Sequence, residues 1–230
     1  MGDAKPLPRS FYRKATADVA RALLGCRLTR RLPDGTTRSV ILVETEAYLG
    51  VRDRAAHTWG GRRTPRVAPM WGEGGHAYVY FVYGMHFCMN VVTQEAGVPE
   101  AVLLRAGIPE EGEKISLKVG GVAASGSAST RRQSAGPYSL SKKIPGLSLA
   151  SGPAKLCAYL GVTTALSGSS LSGPELILSR GPRRRFDVLV GPRVGVDYAG
   201  AAAAWPLRFA VAGCPAVTKP KSLGMPGPRR

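Results

Sequence analysis

The sequence predicts an α+β fold: a single domain on a curved antiparallel or mixed β-sheet, with short flanking helices and a protruding β-hairpin. Three observations lead there. Short β-branched and aromatic runs, separated by Gly and Pro, recur from Cys26 to Gly213. Helical periodicity is confined to two brief stretches, "TADVARALLG" and "SGPAKLCAYLG". One apolar segment, "GHAYVYFVYGMHFCMNVVT" (Gly75 to Thr93), is interrupted by Gly84, where a chain can reverse.

In chain order, the first helix has Thr16 as N-cap, Val19, Leu23 and Leu24 as its apolar side, and Gly25 as its stop. "CRLTRRLPDGTTRSVILVETEAYLG" reads as a hairpin turning at Pro33-Asp34-Gly35. A loop rich in Gly and Arg, "GVRDRAAHTWGGRRTPR", leads to the tyrosine-bearing segment, and "PEAVLLRAGIPEEG" supplies a strand ending at Arg105. Residues 112–151 are small, polar and Gly/Ser-rich, and read as a flexible insertion on one domain spanning 10–218. The second helix follows, with Pro153 near its start and Gly161 past its end. "PELILSRG", "VLVGPRVGV" and "PLRFAVAG" are short strands, and residues 1–9 and 219–230 are expected to be disordered tails.

The charge balance narrows the function. Against 15 Asp and Glu stand 32 Lys and Arg, a net charge of +17 spread along all 230 residues. Such a field suits a polyanion, nucleic acid before an anionic membrane, and argues against a neutral sugar polymer. No apolar run approaches the ~20 residues of a membrane span, and no secretory signal opens the chain. Cys26, Cys88, Cys157 and Cys214 lie far apart with no CxxC pair, so they read as reduced structural thiols of an intracellular protein, without zinc.

Chemistry gathers in three places. "VETEAY" puts Glu44, Glu46 and Tyr48 on one face of a strand, because side chains alternate with period two. An oriented carboxylate there can activate water; the competing reading pairs both glutamates with arginines at a sheet edge. His57 sits in the arginine-rich loop, where Arg62, Arg63 and Arg66 can meet phosphates; a loop histidine that is merely solvated is the alternative. Tyr78 and Tyr80 share a strand face while Tyr83 has the other parity and precedes Gly84. Tyr80 can then line a cavity, Tyr83 can stand at a hairpin tip, and Tyr78 belongs to the framework; equally, all three could fill the core with their hydroxyls bonded. A basic surface, stacking aromatics, a tip aromatic and a water-activating carboxylate are the parts needed to extract a base from a duplex and attack its glycosidic bond.

These residues resemble a known family. "VETEAYLG", "AAHTWGGRRTPR", "YVYFVYGMHFCMNVV", "EAVLLRA", "SGPAKLC" and "RVGV", in that order, are similar to blocks of the alkyladenine (3-methyladenine) DNA glycosylases, through most of residues 10 to 215. The resemblance implies that Glu46 is the general base for the attacking water, with Arg105 beside the flipped nucleotide's backbone. It implies that Tyr48, His57 and Tyr80 stack on the base, with the His57 backbone reading its edge, and that Asn90 disfavours guanine by crowding its exocyclic amine. Tyr83 would intercalate, with Met85 and Thr64 on DNA-facing loops. His86 stands where tyrosine or histidine would both be unsurprising, whereas 112–151 lacks the arginine-rich helical character expected after "LLRA".

The expected activity is removal of alkylated purines from double-stranded DNA by a monomer. No cofactor or metal is expected, nor strand cleavage, since no lysine lies in the matched pocket blocks to form a Schiff base. The expected compartment is the nucleus in a eukaryote, or the cytoplasm at the nucleoid in a prokaryote. A carbohydrate-active hydrolase using Glu44 and Glu46 as a carboxylate pair is the rival enzyme, since same-face strand neighbours lie ~6.5–7 Å apart. A non-enzymatic nucleic-acid binder is the third reading, and would need no carboxylate in a pocket.

Overall fold

A twelve-residue strand, β2 (Thr37–Tyr48), organises the chain. Along one edge it pairs with β5 (Glu100–Glu110); along the other it is shared between β1 (Arg27–Arg31) and β8 (Arg208–Val211). The sheet continues as β3 (Ala77–Val82), β4 (His86–Thr93), β5, β2, β1 and β6 (Leu176–Ser179), while β7 (Val188–Gly191) extends β8. Every pairing among the described strands is antiparallel, which resolves the expected antiparallel-or-mixed sheet. The computed structural model describes residues 5–110, 147–183 and 185–218. No helix among them is long and apolar enough to cross a membrane.

Hairpin β1–β2 turns where Pro33-Asp34-Gly35 predicts: the Thr36 amide and hydroxyl both donate to Asp34 Oδ1, at 2.8 and 2.7 Å. Hairpin β3–β4 closes through Tyr83, Gly84 and Met85 between the paired Val82 and His86, with Tyr83 at φ 53°, Gly84 at φ 69°, and the Met85 amide donating to the Val82 carbonyl at 3.3 Å. Helices α1 (Arg9–Tyr12), α2 (Thr16–Leu23) and α3 (Pro153–Leu160) are short. Thr45 Oγ1 donates to the Ala20 carbonyl at 2.8 Å, fixing α2 against the face of β2 that carries Thr45. Leu156, Cys157 and Leu160 of α3 join the same core, where truncating a buried leucine typically costs ~2–5 kcal/mol. Gly161 ends α3 at φ 64°, with Val162 N–H reaching back to Cys157 O at 2.9 Å, a Schellman closure.

Four expectations shift. Thr16 does not cap α2: it is the first helical residue, and its hydroxyl meets Thr93 Oγ1 at 2.7 Å and Glu100 Oε2 at 2.6 Å, tying the helix to the sheet. Strand β5 runs past Arg105 to Glu110, because the Gly107-Ile108-Pro109 stretch still pairs with β2. The expected tail is anchored at one point, where Leu7 is buried and its amide donates to Leu178 O at 2.8 Å, while Lys5, Pro8 and Arg9 are exposed. Most of the expected insertion at 112–151 lies outside the described residues. At its end, Leu147–Ala150 form a 3-10 turn and Ser151 bridges to Ala106.

Candidate active site

One face of the sheet packs on α2 and α3; the other is the floor of a cavity. Cross-strand pairing sets Tyr78 opposite Asn90, Asn90 opposite Leu103, Leu103 opposite Glu46 and Glu46 opposite Arg208, one continuous row on that floor. Two register slips between β2 and β5 pass over Val43 and Arg105. Such bulges re-aim side chains near sites, and here Arg105 reaches both glutamates on the cavity face.

Glu44 and Glu46 are both wholly buried and both touch Arg105, yet their surroundings differ. Glu44 Oε1 accepts from Arg105 Nε and Arg208 Nε, each at 2.8 Å, and from Thr218 Oγ1 at 2.8 Å; its Oε2 accepts from the Thr218 amide at 2.7 Å. Burial pushes this carboxyl up, but Arg105, the Thr218 amide and Arg208 outweigh it and hold it below the usual range. Glu46 Oε1 accepts from the Val194 amide at 2.8 Å and lies 3.3 Å from Arg105 Nη1; Oε2 accepts from the Tyr48 hydroxyl at 3.0 Å. Here burial wins, and the carboxyl is raised above the ordinary value against Arg105, Val194 and Tyr48. Oε1 carries two donors and Oε2 one, so acceptor capacity remains on Oε2. The alternative that pairs both glutamates with arginines therefore describes Glu44 fully and Glu46 in part.

Behind a layer formed by its own partners, and not itself among the lining residues, Glu46 adjoins a cavity of about 390 Å³, lined by Tyr48, His57, Tyr80, Asn90 and Arg105 among others, with Tyr83 at its edge. That volume suits a small organic ligand such as a base. Tyr48, Arg105 and Val194, the three partners of Glu46, all line it. Tyr80 and His57 meet edge-to-face, with ring centroids 4.6 Å apart. His57 Nδ1 is 2.8 Å from the Tyr78 hydroxyl, which removes the reading of His57 as a solvated loop residue. Burial, then Arg66 and Arg62, lower its pKa to about 4, so the ring is neutral at pH 7. Tyr78 is buried, as a framework residue would be, and on the face it shares with Tyr80 it also lines the cavity. Asn90 is buried, with Nδ2 donating to the Tyr78 carbonyl at 3.2 Å.

Met85, Thr64, Arg62 and Arg63 lie outside the cavity on the exposed surface; Arg63 stacks over Trp71 with its guanidinium carbon 3.6 Å from the ring centre. Tyr83 is 88% exposed, an aromatic in a left-handed conformation at the hairpin tip. Left-handed backbone at a non-glycine residue costs of order 1 kcal/mol and concentrates at functional sites.

Residues 10–215 match the sequence model of the methylpurine-DNA glycosylase family. The chain belongs to that family. Relatives provisionally named 3-methyladenine DNA glycosylase include proteins of Desulfitobacterium hafniense, Methanocella arvoryzae and Bacillus cereus. The first is 42% identical, covering 89% of this chain and 94% of the relative. The second is 42% identical, covering 93% and 96%. The third is 41% identical, covering 92% and 98%. The family match supports the DNA glycosylase reading over the carbohydrate hydrolase and the simple nucleic-acid binder. Glu44 independently removes the carbohydrate reading, since a carboxylate saturated by two arginines and Thr218 cannot serve as the second acid of a pair.

Several residues of the site are invisible to motif reading. Arg208 and Thr218 come from the last strand and the segment beyond it, 164 and 174 positions from Glu44. Arg193 is fully buried: it pairs with Asp53 at 2.9 Å, bonds the Ala47 and Ala202 carbonyls, and sits 4.7 Å behind the Tyr48 ring. The block "RVGV" carried the only signal for Arg193 and Val194.

Proposed function

We propose that this DNA repair glycosylase extrudes alkylated purines from duplex DNA into the cavity and hydrolyses the N-glycosidic bond with Glu46 as general base. The observation that carries this reading is a buried, raised carboxylate clamped by three groups that themselves line an aromatic cavity. The flipped base stacks among Tyr48, Tyr80 and His57. Alkylation at a ring nitrogen leaves it cationic, and attraction to tyrosine faces contributes about 0.5–2 kcal/mol. A neutral His57 adds no charge against that cation. Asn90, between Tyr78 and Leu103 in the row Tyr78–Asn90–Leu103–Glu46, crowds an exocyclic amine and so discriminates against guanine.

Chemistry needs little more than position and charge. The alkylated base is already a good leaving group, so the bond to C1′ loosens first and the sugar becomes oxocarbenium-like. A water held at Glu46 Oε2 loses its proton to the carboxylate as its oxygen bonds to C1′, and the base departs with the bonding pair. Arg105 keeps Glu46 ionised and faces the sugar–phosphate side. Tyr83, with Met85 beside it, fills the gap left in the stack, while Thr64, Arg62 and Arg63 hold the flanking backbone. Among the described residues no lysine lines the cavity, which supports base release without strand cleavage.

Glu46→Gln tests the reading. It keeps the shape and hydrogen-bonding length of the side chain but removes the base. Binding to lesion-bearing duplex is expected to persist while release of the free base collapses; near-normal turnover would overturn the assignment.

A further inference from the structure

Eight large apolar residues among those described are exposed, and two of them, Tyr83 and Tyr198, line the cavity. Tyr83 has its place as the wedge. Tyr198 is unexplained: its ring is 67% exposed, although Val196, Ala199 and Ala202 around it are buried with Ala55. The backbone that carries it is well anchored. Ala199 N–H closes on Val196 O at 2.8 Å at the start of the 3-10 segment Asp197–Ala204, and the Tyr198 hydroxyl lies 3.4 Å from the Ala55 carbonyl, two residues before His57. A fixed backbone thus presents an aromatic face to solvent at the cavity mouth.

Val194, whose amide holds Glu46, lies four residues before Tyr198 and lines the same cavity, so Tyr198 belongs to the stretch of the mouth that serves Glu46. Base faces are already covered by Tyr48, Tyr80 and His57 in the reading above. What passes through the mouth, beside Glu46, is the sugar. On the basis of the glycosylase reading above, we infer that Tyr198 packs its ring against the deoxyribose of the extruded nucleotide, holding C1′ toward Glu46. The ring's apolar face suits the C–H surface of a sugar, and the tether to Ala55 only sets its angle.

The test uses the full chain, Tyr198→Ala and Tyr198→Phe, with melting temperature as the control for folding. Affinity is measured for an undamaged duplex and for one carrying a tetrahydrofuran in place of a nucleotide, which has a sugar ring but no base. Tyr198→Ala is expected to weaken binding to the tetrahydrofuran duplex about tenfold, the size of one lost aromatic stack, and to leave undamaged-duplex affinity unchanged. Tyr198→Phe should bind both as the wild type does. The proposal is overturned if Tyr198→Ala binds the tetrahydrofuran duplex normally, if both duplexes weaken equally, or if Tyr198→Phe fails as Tyr198→Ala does. A wild-type chain that releases no methylated base from a 3-methyladenine duplex overturns the glycosylase pocket, and this proposal with it. Normal release by the wild type with an indifferent Tyr198→Ala overturns only the role of Tyr198.

Discussion

Glu44 and Glu46 sit two residues apart on one strand face, are equally buried, and share Arg105, yet burial and charge drive them in opposite directions. Glu44 is ringed by two arginines and both the amide and hydroxyl of Thr218. Its charge is fully satisfied and chemically spent. Glu46 has one arginine at 3.3 Å, one amide and one tyrosine hydroxyl, and all three of these partners line the cavity. The lesson is that burial alone does not set a carboxylate's state. An incomplete set of partners leaves its charge less well compensated, which is the condition the proposed general base requires.

Breaking each glutamate should separate chemistry from architecture. Glu46→Gln removes only the proton acceptor, and its kcat for base release is expected to fall by about 10²–10⁴ with duplex affinity kept, as read by single-turnover release and by binding titration. Glu44→Gln instead leaves Arg105 and Arg208 facing each other with their shared counter-charge gone. The expected result is a loss of about 3–5 kcal/mol in denaturant unfolding, with activity declining because less protein is folded. Should Glu44→Gln fold normally and lose turnover as Glu46→Gln does, the division of roles is wrong.

Smaller changes sharpen the contrast. Tyr48→Phe keeps the stacking face but removes the donor to Glu46 Oε2, a charge-assisted bond worth about 1.5–3 kcal/mol. The acid limb of its rate profile should move to still higher pH. Tyr83→Gly should do the opposite of most functional losses. Relieving a left-handed tyrosine raises stability by about 1 kcal/mol, seen as a higher melting temperature, while release from duplex falls more than release from single strands. Equal losses on both substrates would remove Tyr83 from the wedge role.

The sheet and its hairpins were legible because alternation, Pro33-Asp34-Gly35 and Gly84 are local signals. Tyr83's separation from Tyr80 came from parity together with Gly84. Thr16 misled because a hydroxyl at a helix start can serve the sheet as readily as the cap, and only tertiary neighbours decide. The partners that distinguish Glu44 from Glu46 were hardly legible. Arg208, Thr218 and Val194 lie more than 140 positions from the carboxylates they hold, and a β-bulge with no sequence signature aims Arg105. Sequence supplied the candidates; the sheet's register chose between them.

The pH dependence of base release tests the central contrast most directly. Glu46 must be ionised to accept a proton and its carboxyl is raised, so activity is expected to climb with pH through a single limb above the ordinary carboxylate pKa of about 4.3. His57, lowered to about 4, adds no limb between pH 6 and 7. Glu44 acts on stability instead, in the same direction with pH but at a lower range. Its contribution is present above the ordinary carboxylate range and is lost as pH falls through its depressed folded value. Single-turnover release of 3-methyladenine from duplex DNA, measured from pH 4.5 to 8.5 at constant ionic strength, should therefore show that limb in the wild type and lose it in Glu46→Gln. The same limb persisting in Glu46→Gln, or a wild-type profile flat across the range, would contradict Glu46 as the poised base.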